Sequence, residues 1–325
     1  MLYEQFTRET RVALATLLSA GKKRAFCARQ LGFEKSSINR EIERNKDPDG
    51  IYRGMHADWR AGHRRKVAKA GKRKIENDPK LRKHIVRKLI KFWSPEQIAG
   101  RLREEKKKTI VCMETIYKYI YEVRPELEKR LRHRGNKQRH KRGTITRRRL
   151  CEAMKIRPIS ERPAIVETRT EFGHWEDDTV IGKEKKQRFH TNVERFSGFG
   201  LADKLDQVSA QIIQNKIQKR FARLPKCAKR TLTRDNGLEF GDLDKDTERL
   251  TGMKVYRATP YHSWERGTNE NWNGLLRQFF PKGMYFATIT QTRLDQAVRL
   301  INDRPRKRLS YKTPREVFRE SCSSV

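Results

Sequence analysis

Three carboxylates stand out for the places they occupy. Asp178 falls inside HWEDDTVIG, Asp235 closes RTLTRD, and Glu270 lies in WERGTNENWNGLLRQFFPKG, a stretch with helical periodicity. The first two segments are rich in β-branched and aromatic residues and read as strands, so one acid sits within a strand and another at a strand's exit. Where neighbouring strands end together, three such side chains have an evident chemistry. Divalent Mg²⁺ demands oxygen ligands and takes only one or two carboxylates per ion, so three acids can hold a pair. Two ions about 4 Å apart activate an attacking oxygen and stabilise a leaving one.

Spacing alone decides little, because among 40 acidic residues some pair will always be parted by the 34 positions between Asp235 and Glu270. Context carries more. Asn236-Gly237 is a turn dipeptide that leaves Asp235 at the strand's exit. Around Glu270, one helical face gathers Asn273 or Gly274 with Arg277; the glycine permits close approach of a backbone, and the arginine can meet a phosphate. Asp177 precedes Asp178, and successive strand side chains point to opposite faces, so only one of the two can face the ions.

The elements that must position these acids follow from the pattern after residue 165. HWEDDTVIG, RFHTNVERF, GFGLADKL, RTLTRD and KVYRATP read as five strands. Helical patterns run from Val208 to Arg223, Glu265 to Phe279 and Thr290 to Asn302, and the alternation predicts an α/β sheet covered by helices. Trp175, Trp264 and Phe279 read as core or loop anchors.

Upstream the grammar is helical. TRETRVALATLLSAG, KRAFCARQLGF and KSSINREIERN are broken at Gly21 and Gly32, which is a helix-turn-helix arrangement. Phe26, Ala28 and Leu31 are expected to pack inward, and Ser36 to cap a helix presenting Asn39, Arg40, Glu43 and Arg44 to a groove. A second such unit runs from Asp78 to Tyr121, with Ser94-Pro95-Glu96-Gln97 as a strong helix start. Its last helix, from Glu114, either faces a groove or packs Ile116, Tyr117, Ile120 and Tyr121 into a core.

Composition names the class of partner. Lys and Arg total 77 against 40 acids, a formal charge of +37, and such an excess seeks a polyanion. No apolar run of 18 residues and no signal-like N-terminus occur, so the expectation is a soluble intracellular protein with no membrane contact. Residues 126–150 hold eleven Lys/Arg against two Glu; such runs cannot pack a core, and binding through them weakens steeply with salt. Cys27, Cys112, Cys151, Cys227 and Cys322 are scattered without metal-ligand spacing and read as free thiols.

Four ordered blocks, GHWEDDTVIG, TRDNGLEF, ATPYHSWERGTNENWNGLLRQFFPKG and INDRPRKRLSYKTPREVF, behind helix-turn-helix modules, resemble the DDE transposases of the insertion-sequence-thirty family over nearly the whole chain. The resemblance implies a multidomain protein: N-terminal all-α helix-turn-helix modules and an α/β RNase H-like, integrase-type core with a mixed five-stranded sheet. It implies Asp178, Asp235 and Glu270 as catalytic metal ligands for two Mg²⁺ ions, with Mn²⁺ as substitute. It also implies double-stranded DNA as partner, namely terminal inverted repeats and target, and at least a dimer acting on the bacterial nucleoid. Asp177 stands where the family has a small residue, commonly Gly, and Trp272 where it has a small polar one. The expected division is 1–62 first helix-turn-helix domain, 63–77 basic linker, 78–124 second helix-turn-helix-like domain, 125–165 basic linker and 166–325 catalytic domain. DNA contacts are expected from Ser36, Ser37, Asn39, Arg40, Arg44, Thr115, Lys118, Arg266, Asn269 and Arg277, with Asn236 and His262 as further site candidates. The competing readings are a catalytically silent DNA-binding regulator and a nonspecific nuclease that cuts without joining.

Overall fold

The computed structural model describes residues 5–69, 73–132, 157–259 and 262–323. The chain divides after Arg82 into two compact units.

The first holds α1 (Arg8–Ser19), α2 (Arg24–Leu31), α3 (Lys35–Asn45), α4 (Gly54–Lys69) and α5 (Lys74–Asn77). The Thr7 hydroxyl caps α1 by accepting from the Thr10 amide, and Gly32 ends α2 at a φ of 72°, a conformation glycine adopts without strain. Leu14, Cys27, Ala28, Ile38 and Ile42 form the core with Tyr52 and Ala57. Buried Arg11 crosses it to Glu41 at 2.7 Å and Asp58 at 2.9 Å, and the Tyr52 hydroxyl donates to Glu41. Three expectations fail in this unit. Phe26 is 38% exposed, and Cys27, one position on, takes the inward place. Ser36 does not cap α3, which begins at Lys35 behind Glu34. The linker expected from 63 is helical through Lys69: no Gly or Pro interrupts it there, and Arg64 donates to Arg44 O and Asn45 Oδ1 at the end of α3.

The second unit takes most of α6 (Pro79–Ile90), then α7 (Pro95–Lys106), α8 (Met113–Glu122), a 3-10 turn at Pro125–Arg130 and a short α9 (Ile165–Thr168). The core proper is β1 (His174–Ile181), β2 (Arg188–Glu194), β3 (Gly200–Leu205), α10 (Ala210–Phe221), β4 (Thr231–Arg234), α11 (Asp244–Thr251), β5 (Lys254–Arg257), α12 (Gly267–Leu276), α13 (Gln291–Asn302) and α14 (Pro314–Ser323). Sheet order is β3-β2-β1-β4-β5; β1 to β3 are antiparallel, and β4 and β5 run parallel to β1. This is the mixed five-stranded sheet the resemblance implies.

Alternation splits the sheet's side chains between two apolar layers. Val180, Phe189, Val193 and Ala202 meet Trp272, Leu275 and Leu276 of α12 and Leu294, Ala297 and Ile301 of α13. Trp175, Leu205, Leu232 and Val255 meet Ile213, Ile217 and Phe221 of α10, with Phe318 of α14. Trp272, without explanation in the sequence, lies over Gly200 on β3: a Cβ there would fall 2.2 Å from the indole. Asn302 completes the seam by bonding both Gly200 N and Gly200 O.

The helical segment before the core belongs to the same unit. Ser94 and Gln97 form the expected reciprocal cap of α7. Gly100 leaves room for the Tyr311 ring, and Arg101 grips Glu316 with two bonds of 2.8 Å. In α8, Ile116 and Ile120 are buried, whereas Tyr121 is exposed. Parts of the linker expected at 125–165 are structured, since Arg157 O accepts from Arg257 N at the edge of β5. Residues 133–156, with most of the basic run and Cys151, lie outside the described residues. Cys27, Cys112, Cys227 and Cys322 carry free thiols. Among the described residues no helix is long and apolar enough to cross a membrane.

Candidate active site

β1 and β4 pair in parallel with Glu176 opposite Thr233, so the next two steps bring Asp177 beside Arg234 and Asp178 beside Asp235. The four side chains then sort by face. Asp178 points to the α12 layer, where its Oδ2 accepts from Asn273 Nδ2 at 3.0 Å and its Oδ1 from Thr179 N at 2.8 Å. Asp235, just past β4, has its Oδ1 held by Gly237 N at 2.9 Å, and Asn236 pins the same turn by donating to Ala258 O. The Arg266 guanidinium lies between the two carboxylates, 3.6 Å from Asp178 and 3.5 Å from Asp235.

Burial pushes the Asp178 carboxyl up to about 6, with Arg266 opposing and Asp235 and Asp177 adding. Asp235 is raised too, by burial first, against Arg266 and with Glu239 and Asp177 adding. Two acids that resist ionisation, faced by one cation, form a donor set whose remaining demand is positive charge.

Asp177 has the opposite surroundings. It is fully buried in the α10 layer, 3.1 Å from Arg234 and 3.5 Å from His190. Burial alone would raise its carboxyl, but Arg234 and His190 outweigh that and hold it below the ordinary value. Arg234 continues to Asp244 at 3.0 Å, Asp244 takes two bonds from Arg257, and Arg257 donates to the Asp235 carbonyl at 3.0 Å. Both guanidiniums lie over the Phe240 ring. This closed chain of two acids and two arginines underlies the two strands that carry Asp178 and Asp235.

Glu270 is exposed on α12, three residues before Asn273 and so on the same helical side. It has no hydrogen-bond or ion-pair partner among the described residues. The start of α12 is fastened to β1 through Glu176, which accepts from Asn269 N at 2.7 Å and pairs with buried Arg195. Asp178 and Asp235 are therefore brought together, whereas among the described residues no three His, Cys, Asp or Glu side chains lie close enough to hold one ion.

The other expected contacts divide. Ser36, Arg40 and Arg44 lie on the exposed side of α3, Ser37 and Asn39 half-buried beside them, and Asn39 Oδ1 is 3.4 Å from Arg24. Lys118 is exposed on α8, and the Thr115 hydroxyl lies 3.0 Å from Cys112 Sγ. Asn269 is corrected as a DNA contact: it is 0% exposed, with its amide spent on Glu176 O, Thr191 O and the Thr191 hydroxyl. Arg277 donates to Ile181 O at 2.9 Å and so ties the end of α12 to the end of β1, a structural bond the sequence did not announce. His262 Nδ1 lies 3.3 Å from Glu265. Trp175 is buried in the core, and Phe279 packs at the rim of the α12 layer; the Trp264 side chain is outside the described residues. The sequence put Asn273 on the helical face of Glu270 without giving it a role, and named Arg266 without its bridging position.

The chain is 38% identical over 320 residues to the transposase for insertion sequence element IS4351 of Bacteroides fragilis, spanning 98% of this chain and 96% of that one. It is 35% identical over 316 residues to transposase InsI for insertion sequence element IS30A of Escherichia coli (strain K12), spanning 93% and 80%. The transposase for IS1086 of Cupriavidus metallidurans is 31% identical over 325 residues, 97% of this chain and 94% of that one. Among solved structures, the catalytic core domain of BIV integrase is similar at a TM-score of 0.38 and 20% identity, over 47% of this chain and 97% of that one. No protein-family model matches.

Proposed function

The chain belongs to the family of insertion-sequence transposases represented by those of IS30 and IS4351, and from that membership we propose that Asp178, Asp235 and Glu270 are the carboxylates of a DNA-cleaving and DNA-joining centre. The enzyme acts on DNA in transposition, cutting strands and transferring them. The observation that carries the site assignment is the pair of Asp178, on β1, and Asp235, just past the neighbouring parallel β4, with one guanidinium between them.

Divalent metal fits this donor set. The acids are crowded and hard to ionise, and the positive group between them is a side chain that a better cation can displace. Asp178, Asp235 and Glu270 would hold two ions, Mg²⁺ with Mn²⁺ as substitute; when bound, these supply an activated oxygen nucleophile and charge relief at the phosphate. Asn273, Thr179 and Gly237 fix one oxygen or more of each aspartate before substrate arrives, which spares reorganisation during reaction. Arg266, once released from the pair, is placed to meet the phosphate that takes over its site. The 3′ hydroxyl freed by hydrolysis then attacks target DNA in line, with no covalent bond to the protein.

The exposed side of α3, with Ser36, Arg40 and Arg44, reads the inverted repeat, and α8 with Thr115 and Lys118 supports a second contact. The unit of α1 to α5 serves recognition, and the unit that holds the sheet serves catalysis. Joining two ends calls for at least two protomers.

Purified protein with a labelled terminal-repeat duplex and Mg²⁺ or Mn²⁺ tests this. Wild type should cut and join, while Asp178→Asn, Asp235→Asn and Glu270→Gln bind the duplex and do neither. Cutting without joining would favour the nuclease reading, and binding without cutting the regulator.

A further inference from the structure

A second cluster of charge lies at the far end of α12, and it has no counter-charge among the described residues. Arg304 is 3% exposed, with its guanidinium 5.8 Å from the Phe92 ring and 5.4 Å from the Phe279 ring. One of its nitrogens donates to Gln278 Oε1 at 2.9 Å, but Nε and Nη2 are buried without any hydrogen-bond partner. Arg306 is half-buried beside it and spends Nη2 on Ile301 O. Arg132 is exposed, with Nη2 3.3 Å from where a Cβ on Gly274 would sit. Arg130 also lies over the Phe92 ring, at 5.1 Å. Among the described residues none of the four meets a carboxylate within ion-pair distance. Burial first, and neighbouring arginines, Arg132 among them, lower Arg304 to about 9 and Arg306 to about 10.

A buried guanidinium with idle N–H groups and like-charged neighbours is costly unless an anion completes it. Planar, forked donors match phosphate oxygens best. The cluster also has a telling address, since Gly274 is four residues after Glu270 and thus on the same side of α12. Through Arg132 and Arg306 the group reaches the surface on that side.

We propose that Arg132, Arg304 and Arg306 form a binding site for one backbone phosphate of the DNA strand that crosses α12 toward Glu270. The site rests on the reading of this core as DNA-processing, and it fixes where that strand is gripped, about one to two turns of helix from the third carboxylate. The Phe92 and Phe279 rings, themselves in edge contact at 4.9 Å between centroids, both lie against the Arg304 guanidinium, so that its position is set before the phosphate arrives.

The test uses the full chain and DNA binding without divalent metal, so it is independent of cleavage. Each phosphate that the protein ceases to neutralise should flatten the plot of log affinity against log salt by about 0.9. Arg132→Ala, at an exposed position, and Arg304→Gln should each flatten it by that amount, and the double variant by no more than either single one, because both arginines hold the same phosphate. Replacing single phosphates by neutral methylphosphonates should then identify one position that weakens wild type about tenfold and leaves Arg132→Ala unaffected. Unchanged slopes, or a double variant flattened by twice the single amount, would overturn the proposal. Thermal stabilisation of wild type by inorganic phosphate, without any such methylphosphonate position, would mean a free-anion site and overturn it as well. Wild type that binds DNA with the expected slope pattern but never cuts would leave the grip standing and sink the catalytic reading instead.

Discussion

Asp177 and Asp178 are the same residue type, one step apart on one strand, and their surroundings are opposites. The rear aspartate is fully buried and balanced: Asp177 and Asp244 against Arg234 and Arg257, each acid bonded. The front aspartate is less buried and unbalanced, crowded by Asp235 and met by one arginine. The rear acid is held below its ordinary value and the front one pushed to about 6. Completeness of charge pairing, more than depth of burial, separates the two: the acid left wanting a cation is the one we propose as a metal ligand.

The sharpest way to break this contrast is Arg234→Met. It strands buried Asp177 and takes one of the two arginines from Asp244, and should cost about 3 to 5 kcal/mol of stability in a urea titration. Asp177→Leu with Arg234→Met removes both charges and should regain most of that loss; a double variant as weak as the single would show that the rear chain is not a balanced pair.

The front face should respond to acid. Ion binding requires ionised carboxylates, so Mn²⁺ affinity of the metal-free protein should fall about tenfold per pH unit below about 6. Stability runs the other way: a carboxyl raised in the fold favours the folded state at low pH, and that contribution disappears as pH climbs from the ordinary aspartate range near 4 to about 6. Asp178→Asn should flatten both profiles; a wild type with level Mn²⁺ affinity from pH 7 to 5 would contradict the raised front acid. Smallest is Asn273→Ala, which removes one donor from Asp178 and should slow strand joining by about 1 kcal/mol, roughly fivefold, with DNA affinity unchanged.

Much of the fold was legible in advance because strands announce themselves by period two. The same alternation put Asp177 and Asp178 on different faces, and the Asn-Gly turn set Asp235 at its exit. What escaped the sequence depended on partners remote along the chain. Asn269 looks like a DNA contact until Glu176 and Thr191 are folded against it. Arg277 looks like a phosphate contact until β1 ends beneath it. The phase of a short helix is similarly fragile: in α2 a shift of one residue exchanged Phe26 for Cys27. Arg266 was nameable as a cation near the site, but its place between two aspartates needed the sheet.

Trp272 and Gly200 are matched in shape across the seam between α12 and β3. An indole occupies the space where any side chain on residue 200 would begin, and Asn302 braces the same glycine from its backbone. The two positions therefore cannot drift independently. Any side chain at 200 would have to displace the ring, and loss of the ring would leave a void against β3, so the helix that bears Glu270 is seated on the sheet like a key cut for one lock.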